Sequence, residues 1–295
     1  MKCLQCPRKC GADRDGSVGF CGVPWQFRVA RASLHSWEEP QISGTRGSGT
    51  VFFCGCNLRC IYCQNRAISR EGQGREIGAD ELIDVMLRLE AAGAHNINLV
   101  TPTQYALQLA DVLASAKKRL HIPIVYNCGG YEDVEVLRRL EGLIDIYLPD
   151  FKYVDGELAE RYSGARNYCE IATEALAEML RQTGVPLIGE DGLMRRGVIV
   201  RHLVLPGSRK DSVAVLSHLA RTFGTDAFLL SLMSQYTPAF AQDAPDRVLH
   251  RRVTSFEYQT VADEALRLGF SGNLQERTSA DAGYTPNFSE SSFLP

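Results

Sequence analysis

Apolar residues along most of the chain follow two spacings, which predict helices and strands in regular succession. Within residues 80–92 the apolar side chains recur every three or four positions, as in an amphipathic helix. Short apolar runs, such as residues 50–54 and 96–100, predict buried strands instead. The same reasoning predicts further strands at 27–34, 122–126, 144–148, 198–205 and 227–232, and further helices at 105–118, 133–140, 170–183, 212–222 and 257–268.

This alternation predicts a parallel sheet built from strand–helix units. Six such units follow residue 50. A complete eight-unit barrel takes about 250 residues, and the run from 50 to 268 is slightly shorter. The predicted fold is therefore α/β, a partial (β/α)6 TIM-like barrel, with an open doubly wound sheet as the alternative. In either fold, functional side chains are expected at the carboxyl ends of the strands.

Three regions are predicted: a Cys-rich metal-binding extension (1–45), the barrel core (46–240), and a C-terminal helix and tail (241–295). The first 22 residues have no apolar periodicity and cannot hold a core, so they need a metal or a docking surface to be ordered. Residues 42–49, rich in Gly and Ser, predict a flexible loop, and residues 283–295 predict a disordered tail.

Composition narrows the classes of function. Hydrophobic residues make up 45% of the 295-residue chain, which is typical of a soluble globular protein. The net charge of −3 offers no basic surplus for binding nucleic acid. No apolar stretch approaches the roughly 20 residues that span a bilayer, and the N-terminus has no apolar signal region. We therefore expect a cytoplasmic protein that binds neither nucleic acid nor membrane.

Cysteine usage gives the first indication of chemistry. Of ten cysteines, eight precede residue 64, and in a reducing cytosol such clusters bind metal more often than they form disulfides. Cys56, Cys60 and Cys63 have the spacing C-x3-C-x2-C directly after the predicted strand 50–54. Three thiolates on one loop can hold three irons of a 4Fe–4S cluster and leave the fourth iron open. A zinc site would need a fourth ligand, and Cys54 is poorly spaced for that role, so we interpret it as a core residue.

With Tyr62 before the last cysteine, this loop resembles the signature of the radical S-adenosylmethionine (SAM) superfamily. The resemblance implies that SAM is reductively cleaved at the cluster to a 5′-deoxyadenosyl radical, which abstracts hydrogen from a substrate. It also implies an external reductant of the flavodoxin or ferredoxin type. The Cys-Pro-Arg-Lys-Cys-Gly run near the N-terminus and residues 37–40 further resemble the PflX-type branch, which is similar to pyruvate formate-lyase activating enzyme.

Later strand ends resemble the SAM-binding segments of that superfamily. The sequence 101–104 replaces the usual Gly-Gly-Glu, 126–131 resembles an Asp-Thr-Asn-Gly segment, and 150–152 resembles an Asp-Leu-Lys segment. A lysine in the last segment can pair with the SAM carboxylate. The resemblance thus implies SAM contacts from Tyr62, Thr101, Thr103, Asn127, Asp150, Lys152, His202 and Gln235. It implies no catalytic residue beyond the cluster ligands.

A second set of cysteines, Cys3, Cys6, Cys10 and Cys21, has the spacing C-x2-C-x3-C-x10-C. Four soft ligands suit a structural zinc ion or a second iron–sulfur cluster, and the spacing does not separate the two. Zinc would make this extension a scaffold, whereas a cluster would make it an electron relay.

Three functions are compatible with these patterns. The first is a glycyl-radical activase acting on a partner protein, and the second is radical modification of a small molecule or peptide. The third is a non-enzymatic zinc-binding scaffold, which would bind zinc at both cysteine sets. An activase needs an open barrel face to receive a loop of its partner.

Overall fold

The computed structural model describes residues 2–275 and Phe288. In that part of the chain the strands are β1 (Phe27–His35), β2 (Ser48–Phe53), β3 (Arg75–Ile77), β4 (Ile97–Val100), β5 (Ile124–Cys128), β6 (Ile146–Pro149), β7 (Leu187–Ile188), β8 (Met194–Leu203), β9 (Leu229–Met233) and β10 (Gly272–Leu274). The α-helices are α1 (Pro40–Ser43), α2 (Arg66–Ser69), α3 (Ala79–Ala91), α4 (Ala106–Ala116), α5 (Val134–Arg138), α6 (Gly156–Ser163), α7 (Tyr168–Thr183), α8 (Arg209–Phe223) and α9 (Ser255–Leu268). Short 3-10 helices span Thr103–Tyr105, Pro238–Phe240 and Arg247–His250.

The strands form one open sheet whose central part is parallel. Its order is β10-β9-β8-β6-β5-β4-β2-β1-β3, with β7 attached to β8. Neighbours from β2 to β10 in this order pair in parallel, whereas β1 is antiparallel to both β2 and β3. The sheet does not close on itself, so the prediction of an α/β partial barrel is confirmed.

Burial explains why these segments form strands and helices. Every residue of β2, β4, β5 and β6 is buried, as expected for parallel strands covered on both faces. Helix α3 buries the stripe that its sequence predicts, namely Leu82, Ile83, Val85, Met86 and Leu89. Among the described residues no helix is both long enough and apolar enough to cross a membrane.

The turn or loop predicted at 42–49 is shorter in the structure, where it occupies only residues 44–47. Residues Pro40–Ser43 form the short helix α1, and β2 already begins at Ser48. Ile42 is fully buried and packs inside the sheet with Val125, Ile146, Leu148, Met194 and Ile199. Because α1 precedes β2 and the cysteine loop follows it, α1 fills the barrel interior at the end opposite to that loop.

Smaller differences concern segments with weak periodicity. Helix α6 was not predicted, although Asp155 caps it by accepting hydrogen bonds from two backbone N–H groups. Helix α5 is shorter than its predicted span of 133–140. The predicted disordered tail, 283–295, lies outside the described residues apart from Phe288.

Hydrogen bonds join the β1–β2 connection to the β10 edge of the open sheet. The amide of Gln41 in α1 donates to Asn273 Oδ1 at 3.3 Å, and Asn273 Nδ2 donates back to Gln41 Oε1 at 2.9 Å. Next to this pair, the Ser231 hydroxyl of β9 donates to the carboxylate of Glu39. The connection between β1 and β2 is therefore tied to the last two strands.

We expect this amide pair to stabilise the fold cooperatively. In a double-mutant cycle of Gln41→Ala and Asn273→Ala, the coupling free energy should be about 1 kcal/mol, since each replacement leaves the other amide unpaired. Urea unfolding of the four proteins measures it. If the losses in the free energy of unfolding are strictly additive, the amide pair does not hold α1 and β10 together.

Candidate active site

A cavity of about 320 Å³ lies at the carboxyl ends of the parallel strands. This volume is within the range of small-molecule sites. The three loop cysteines, Cys56, Cys60 and Cys63, line it together. So do six of the side chains that the sequence predicts as cofactor contacts: Tyr62, Thr101, Asn127, Asp150, Lys152 and Gln235.

The cysteine loop is held by contacts to its backbone. Gly55 has φ +81°, and a Cβ there would lie 2.7 Å from the carbonyl oxygen of Cys21, so only glycine fits. The buried amide of Gln104 donates to the carbonyls of Cys54 at 2.9 Å and Gly55 at 3.2 Å. It also donates to the carbonyl of Thr101 at 2.7 Å, which couples the loop to the end of β4.

Hydrogen-bond donors point at the loop sulfurs. The Ser163 hydroxyl donates to Cys60 Sγ at 3.0 Å, and the Ser69 hydroxyl donates to Cys63 Sγ at 3.5 Å. The backbone N–H of Leu58 donates to Cys56 Sγ at 3.4 Å. Such donors stabilise thiolate ligands and tune the reduction potential of an iron–sulfur cluster.

The chemistry of the donor set fits an iron–sulfur cluster. Burial raises the pKa of Cys56 to about 12, so its thiolate at neutral pH requires a bound cation. In a 4Fe–4S cluster each cysteine binds a different iron, so three cysteines of one loop that line the same cavity suit it.

Opposite charges meet on the cavity wall around Arg201. Its Nε donates to Asp150 Oδ1 at 3.0 Å, and its Nη2 donates to Asn127 Oδ1 at 2.6 Å. Its Nη1 lies 3.4 Å from Glu38 Oε2, and Lys152 forms an ion pair with Asp150. One guanidinium thus contacts the ends of two neighbouring strands and the segment before α1.

Burial and charge compete over the pKa values of this network. Burial alone would raise the pKa of Asp150, but Lys152 and Arg201 hold it below its ordinary value. Burial alone would lower the pKa of Lys152, but the Asp150 carboxylate outweighs this and raises it. Burial raises the pKa of Glu38 despite the attraction of Arg201. The Asp150–Lys152 pair therefore stays ionised at neutral pH.

Thr101 has an unusual backbone conformation. Its φ is +56°, in the left-handed region that a β-branched residue rarely adopts. Its N–H donates to the carbonyl of Asn127 at 2.8 Å, which helps hold this conformation. Thr101 lies in the segment that replaces the usual Gly-Gly-Glu of the resembling superfamily. It therefore adopts a backbone conformation that favours glycine, and it stores strain beside the cavity.

Two predicted SAM contacts lie away from the cavity lining. Thr103 is buried, and its hydroxyl donates to Glu132 Oε1 at 2.7 Å. His202 is also buried, with Nδ1 2.7 Å from the carbonyl oxygen of Phe151, and burial lowers its pKa to about 4. His202 is therefore neutral, and its hydrogen bond to this carbonyl holds the ends of β6 and β8 together. The structure therefore does not bring these two side chains to the other six.

Sequence reasoning missed four residues of the site. Glu38 and Glu39 lie in the segment 37–40, which resembles the PflX-type branch but was not predicted to reach the site. Arg201 lies near the end of β8 and was not predicted to contact SAM. Gln104 is the last residue of the segment 101–104, in which only the two threonines were predicted to contact SAM. For the two glutamates a signal was available in the sequence. They lie with Pro40 between two apolar strands, and carboxylates that become buried between strands need a partner of opposite charge.

The N-terminal cysteine segment packs directly against the cysteine loop. The backbone N–H of Cys56 donates to the carbonyl of Cys21 at 3.2 Å. Arg8 donates from Nε to the carbonyl of Asn57 at 2.8 Å and from Nη2 to the carbonyl of Ser163 at 2.8 Å. The two cysteine sets are therefore adjacent.

Together, a partial α/β barrel and a cysteine-lined cavity at its strand ends define a cofactor-dependent enzyme. The family model of the Radical SAM superfamily matches residues 50–216, and the chain belongs to this superfamily. Its members hold a 4Fe–4S cluster and use SAM, which agrees with the thiolates and charges of the cavity.

Individual relatives agree with this assignment. A protein of Methanocaldococcus jannaschii, described only as uncharacterised, is 29% identical over 283 residues, covering 92% of this chain and 75% of that protein. Pyruvate formate-lyase-activating enzyme of Clostridium pasteurianum is 34% identical over 134 residues, covering 42% of this chain and 54% of that enzyme. The structure of Streptococcus suis SuiB bound to precursor peptide SuiA has a TM-score of 0.53 at 12% identity, covering 76% of this chain and 48% of that chain. This last likeness shows the fold alone.

Removing the hydroxyl that donates to Cys60 should lower the reduction potential of a cluster bound there. The hydrogen bond from Ser163 stabilises the more negative, reduced state, and Ser163→Ala removes it. A redox titration followed by electron paramagnetic resonance (EPR) measures the potential, with the exposed Ser115→Ala as the control. Equal potentials in both variants would contradict the assigned hydrogen bond.

Glu132 should make stability depend on pH. Burial raises its pKa from 4.5 to about 7, although Thr103, Tyr126 and Cys128 donate to it. The unfolded chain releases this proton first, so the contribution of Glu132 to the free energy of unfolding falls as pH rises from 4.5 to 7 and is then level. Relative to wild type, Glu132→Gln should gain up to about 3 kcal/mol across that range.

Urea unfolding at a series of pH values measures this difference. The exposed Glu174→Gln, for which the wild-type profile should be retained, is the control. A difference between wild type and Glu132→Gln that does not change with pH would show that Glu132 ionises normally in the folded protein.

Proposed function

We propose that this protein is a radical SAM enzyme whose cluster is held by Cys56, Cys60 and Cys63. The observation that carries the proposal is that these three cysteines share one cavity with the Arg201–Asp150–Lys152 network. When bound, the cluster and SAM supply reductive cleavage to a 5′-deoxyadenosyl radical, which abstracts hydrogen from a substrate.

The charged side chains of the cavity suit the polar ends of SAM. Lys152 offers a cation for its carboxylate, and Asp150 and Asn127 offer acceptors for its amine or ribose hydroxyls. Because these side chains are already paired in the protein, they are held in position before SAM binds. Gln235 also lines the cavity and can add a further hydrogen bond.

Aromatic residues offer a surface for the adenine ring. Tyr62 is buried at the cavity, and its hydroxyl shares a 2.6 Å hydrogen bond with the hydroxyl of Tyr153. The Tyr153 hydroxyl lies 2.9 Å from that of Ser163, which in turn donates to Cys60. This chain of hydroxyls orients Tyr62 beside the cluster loop, where its ring and that of Tyr236 line the cavity together.

The two substrate alternatives differ in how much of the barrel must be open. Gln41 and Asn273 tie the β1–β2 connection to β10, and Ile42 fills the barrel interior behind it. These contacts lie at the end of the barrel opposite to the cysteine loop, whereas the cavity lies at the carboxyl ends of the strands. Both substrate classes, a glycine loop of a partner protein and a small molecule or peptide, therefore fit the proposed activity.

Two further assignments accompany the proposed activity. The N-terminal cysteines bind a metal centre that orders residues 3–21, and a flavodoxin- or ferredoxin-type protein supplies the electron. The contacts from Cys21 and Arg8 to the cysteine loop support a centre whose loss would disturb that loop.

The test is anaerobic reconstitution with iron and sulfide, followed by dithionite and SAM. We expect bound iron and formation of 5′-deoxyadenosine, detected by chromatography. Cys60→Ala removes one cluster ligand and should reduce product by at least about a hundredfold, because three protein thiolates are needed to hold the cube. Cys169→Ser, a half-buried cysteine of α7, is the matched control.

The non-enzymatic scaffold makes the opposite prediction. It predicts a colourless protein that holds about two zinc ions per chain and does not cleave SAM. Zinc without iron after reconstitution, together with no 5′-deoxyadenosine, would reject the proposed enzyme.

A further inference from the structure

The side chain of Arg8 joins the N-terminal extension to two parts of the cluster site. Its Nε donates to the carbonyl of Asn57 in the cysteine loop at 2.8 Å. Its Nη2 donates to the carbonyl of Ser163 at 2.8 Å, and its Nη1 donates to the carbonyl of Gly164. One guanidinium therefore fixes the cysteine loop relative to the end of helix α6.

The end of α6 needs donors from elsewhere in the chain. The helix ends at Ser163, and Gly164 follows in the left-handed conformation, with φ +57°. The last carbonyls of a helix have no partner inside it, and a positive charge is favourable at that end. Arg8 supplies such a charge to two of these carbonyls. The carbonyl of Tyr162 accepts the backbone N–H of Ile61 at 2.9 Å, so the cysteine loop contacts α6 directly as well.

This helix end also carries a donor to the cluster loop. The Ser163 hydroxyl donates to Cys60 Sγ at 3.0 Å, and it lies 2.9 Å from the hydroxyl of Tyr153. Ser163 is only 3% exposed, and its side chain is short. The place of its hydroxyl therefore depends on the place of the helix end, and Arg8 acts on Cys60 through Ser163.

Two aromatic rings hold the guanidinium in place. Its central carbon lies 4.2 Å from the centroid of the Phe20 ring and 5.3 Å from that of the Tyr131 ring. A planar guanidinium can stack on a ring while it donates to several carbonyls, whereas the ammonium of a lysine on its flexible stem cannot reproduce this geometry. The substitution Arg8→Lys therefore keeps the charge and removes the arrangement of donors.

Other contacts keep the extension docked when Arg8 is changed. The side chain of Gln5 accepts the backbone N–H of Leu107 at 3.0 Å. Arg14 donates to the carbonyl of Gln104 at 2.5 Å. Because these contacts do not involve α6, we expect Arg8→Lys to fold and to disturb mainly the contact between the cysteine loop and that helix.

We propose that Arg8 is a positioning residue of the radical SAM site. It holds the cysteine loop against the end of α6, so that the Ser163 hydroxyl reaches Cys60 and raises the reduction potential of the cluster. The inference rests on the proposed function, because it concerns the cluster that Cys60 binds. Through Arg8 the N-terminal extension is part of that cluster's site, whichever metal its own cysteines bind.

The first experiment is a double-mutant cycle on the reduction potential. Arg8→Lys should lower the potential found by EPR-monitored redox titration, as Ser163→Ala does, because the hydroxyl moves away from Cys60. When Ser163→Ala is already present, Arg8→Lys should cause less than about half of the shift that it causes alone. An unchanged potential in Arg8→Lys, or two shifts that add fully, would overturn the proposal.

Arg46→Lys is the matched control for this cycle. Arg46 is exposed, and its Nε donates to the carbonyl of Gly93 at 2.9 Å. It precedes β2, so it lies at the end of the barrel opposite to the cysteine loop. The wild-type potential should be retained in Arg46→Lys. An equal decrease in both lysine variants would contradict a specific role of Arg8.

The second experiment uses the iron-free protein. The Ile61 amide donates to the carbonyl of Tyr162, so its hydrogen exchange reports the contact between the loop and α6. In Arg8→Lys this amide should exchange at least about tenfold faster than in wild type, and Arg46→Lys should keep the wild-type rate. Equal rates in wild type and Arg8→Lys would show that Arg8 does not hold the loop.

The two experiments separate this inference from the proposed function. If wild type forms no cluster, the proposed function fails, while exchange of the Ile61 amide still decides whether Arg8 holds the loop. Urea unfolding establishes that each variant is folded. Loss of iron from folded Arg8→Lys, with iron retained in Arg46→Lys, would also support the role of Arg8 in the cluster site.

Discussion

The buried guanidinium of Arg201 constrains the rest of the cavity. A charge removed from water must be matched by opposite charge and by hydrogen bonds, or its burial costs several kcal/mol. Arg201 meets this requirement only where Asn127, Asp150 and Glu38 converge. These residues belong to β5, the end of β6 and the segment before α1, so the cofactor site cannot form before the barrel itself.

The parallel core and the cysteine loop could be predicted because their signals are local. The stripe of α3 repeats within a few turns, and Cys56, Cys60 and Cys63 lie within eight residues of one another. Strand ends of a parallel sheet meet at one edge, so Asn127 and Asp150 could be expected at the same cavity. These inferences need only the alternation of strands and helices along the chain, and they require no knowledge of side-chain packing.

The remaining features depend on contacts between distant parts of the chain. Residues 42–49 contain Gly and Ser, which usually indicate a loop, yet Ile42 fills the barrel interior and fixes α1 there. His202 sits at a strand end like the cavity residues, but it points to the carbonyl of Phe151. Glu38 reaches the site from outside the six strand–helix units, so no strand-end rule could include it.

The bond between α1 and β10 also bears on how the fold comes apart. The edge strands of an open sheet ordinarily fray first, because their outer backbone groups have no neighbour. Gln41 and Asn273 are more than two hundred positions apart along the chain. Because their side chains are paired, local opening of β10 also requires the contact with α1 to break. Helix α1 and strand β10 should then exchange their amide hydrogens with similar protection, as in a closed ring, although the sheet lacks the strands that would complete one.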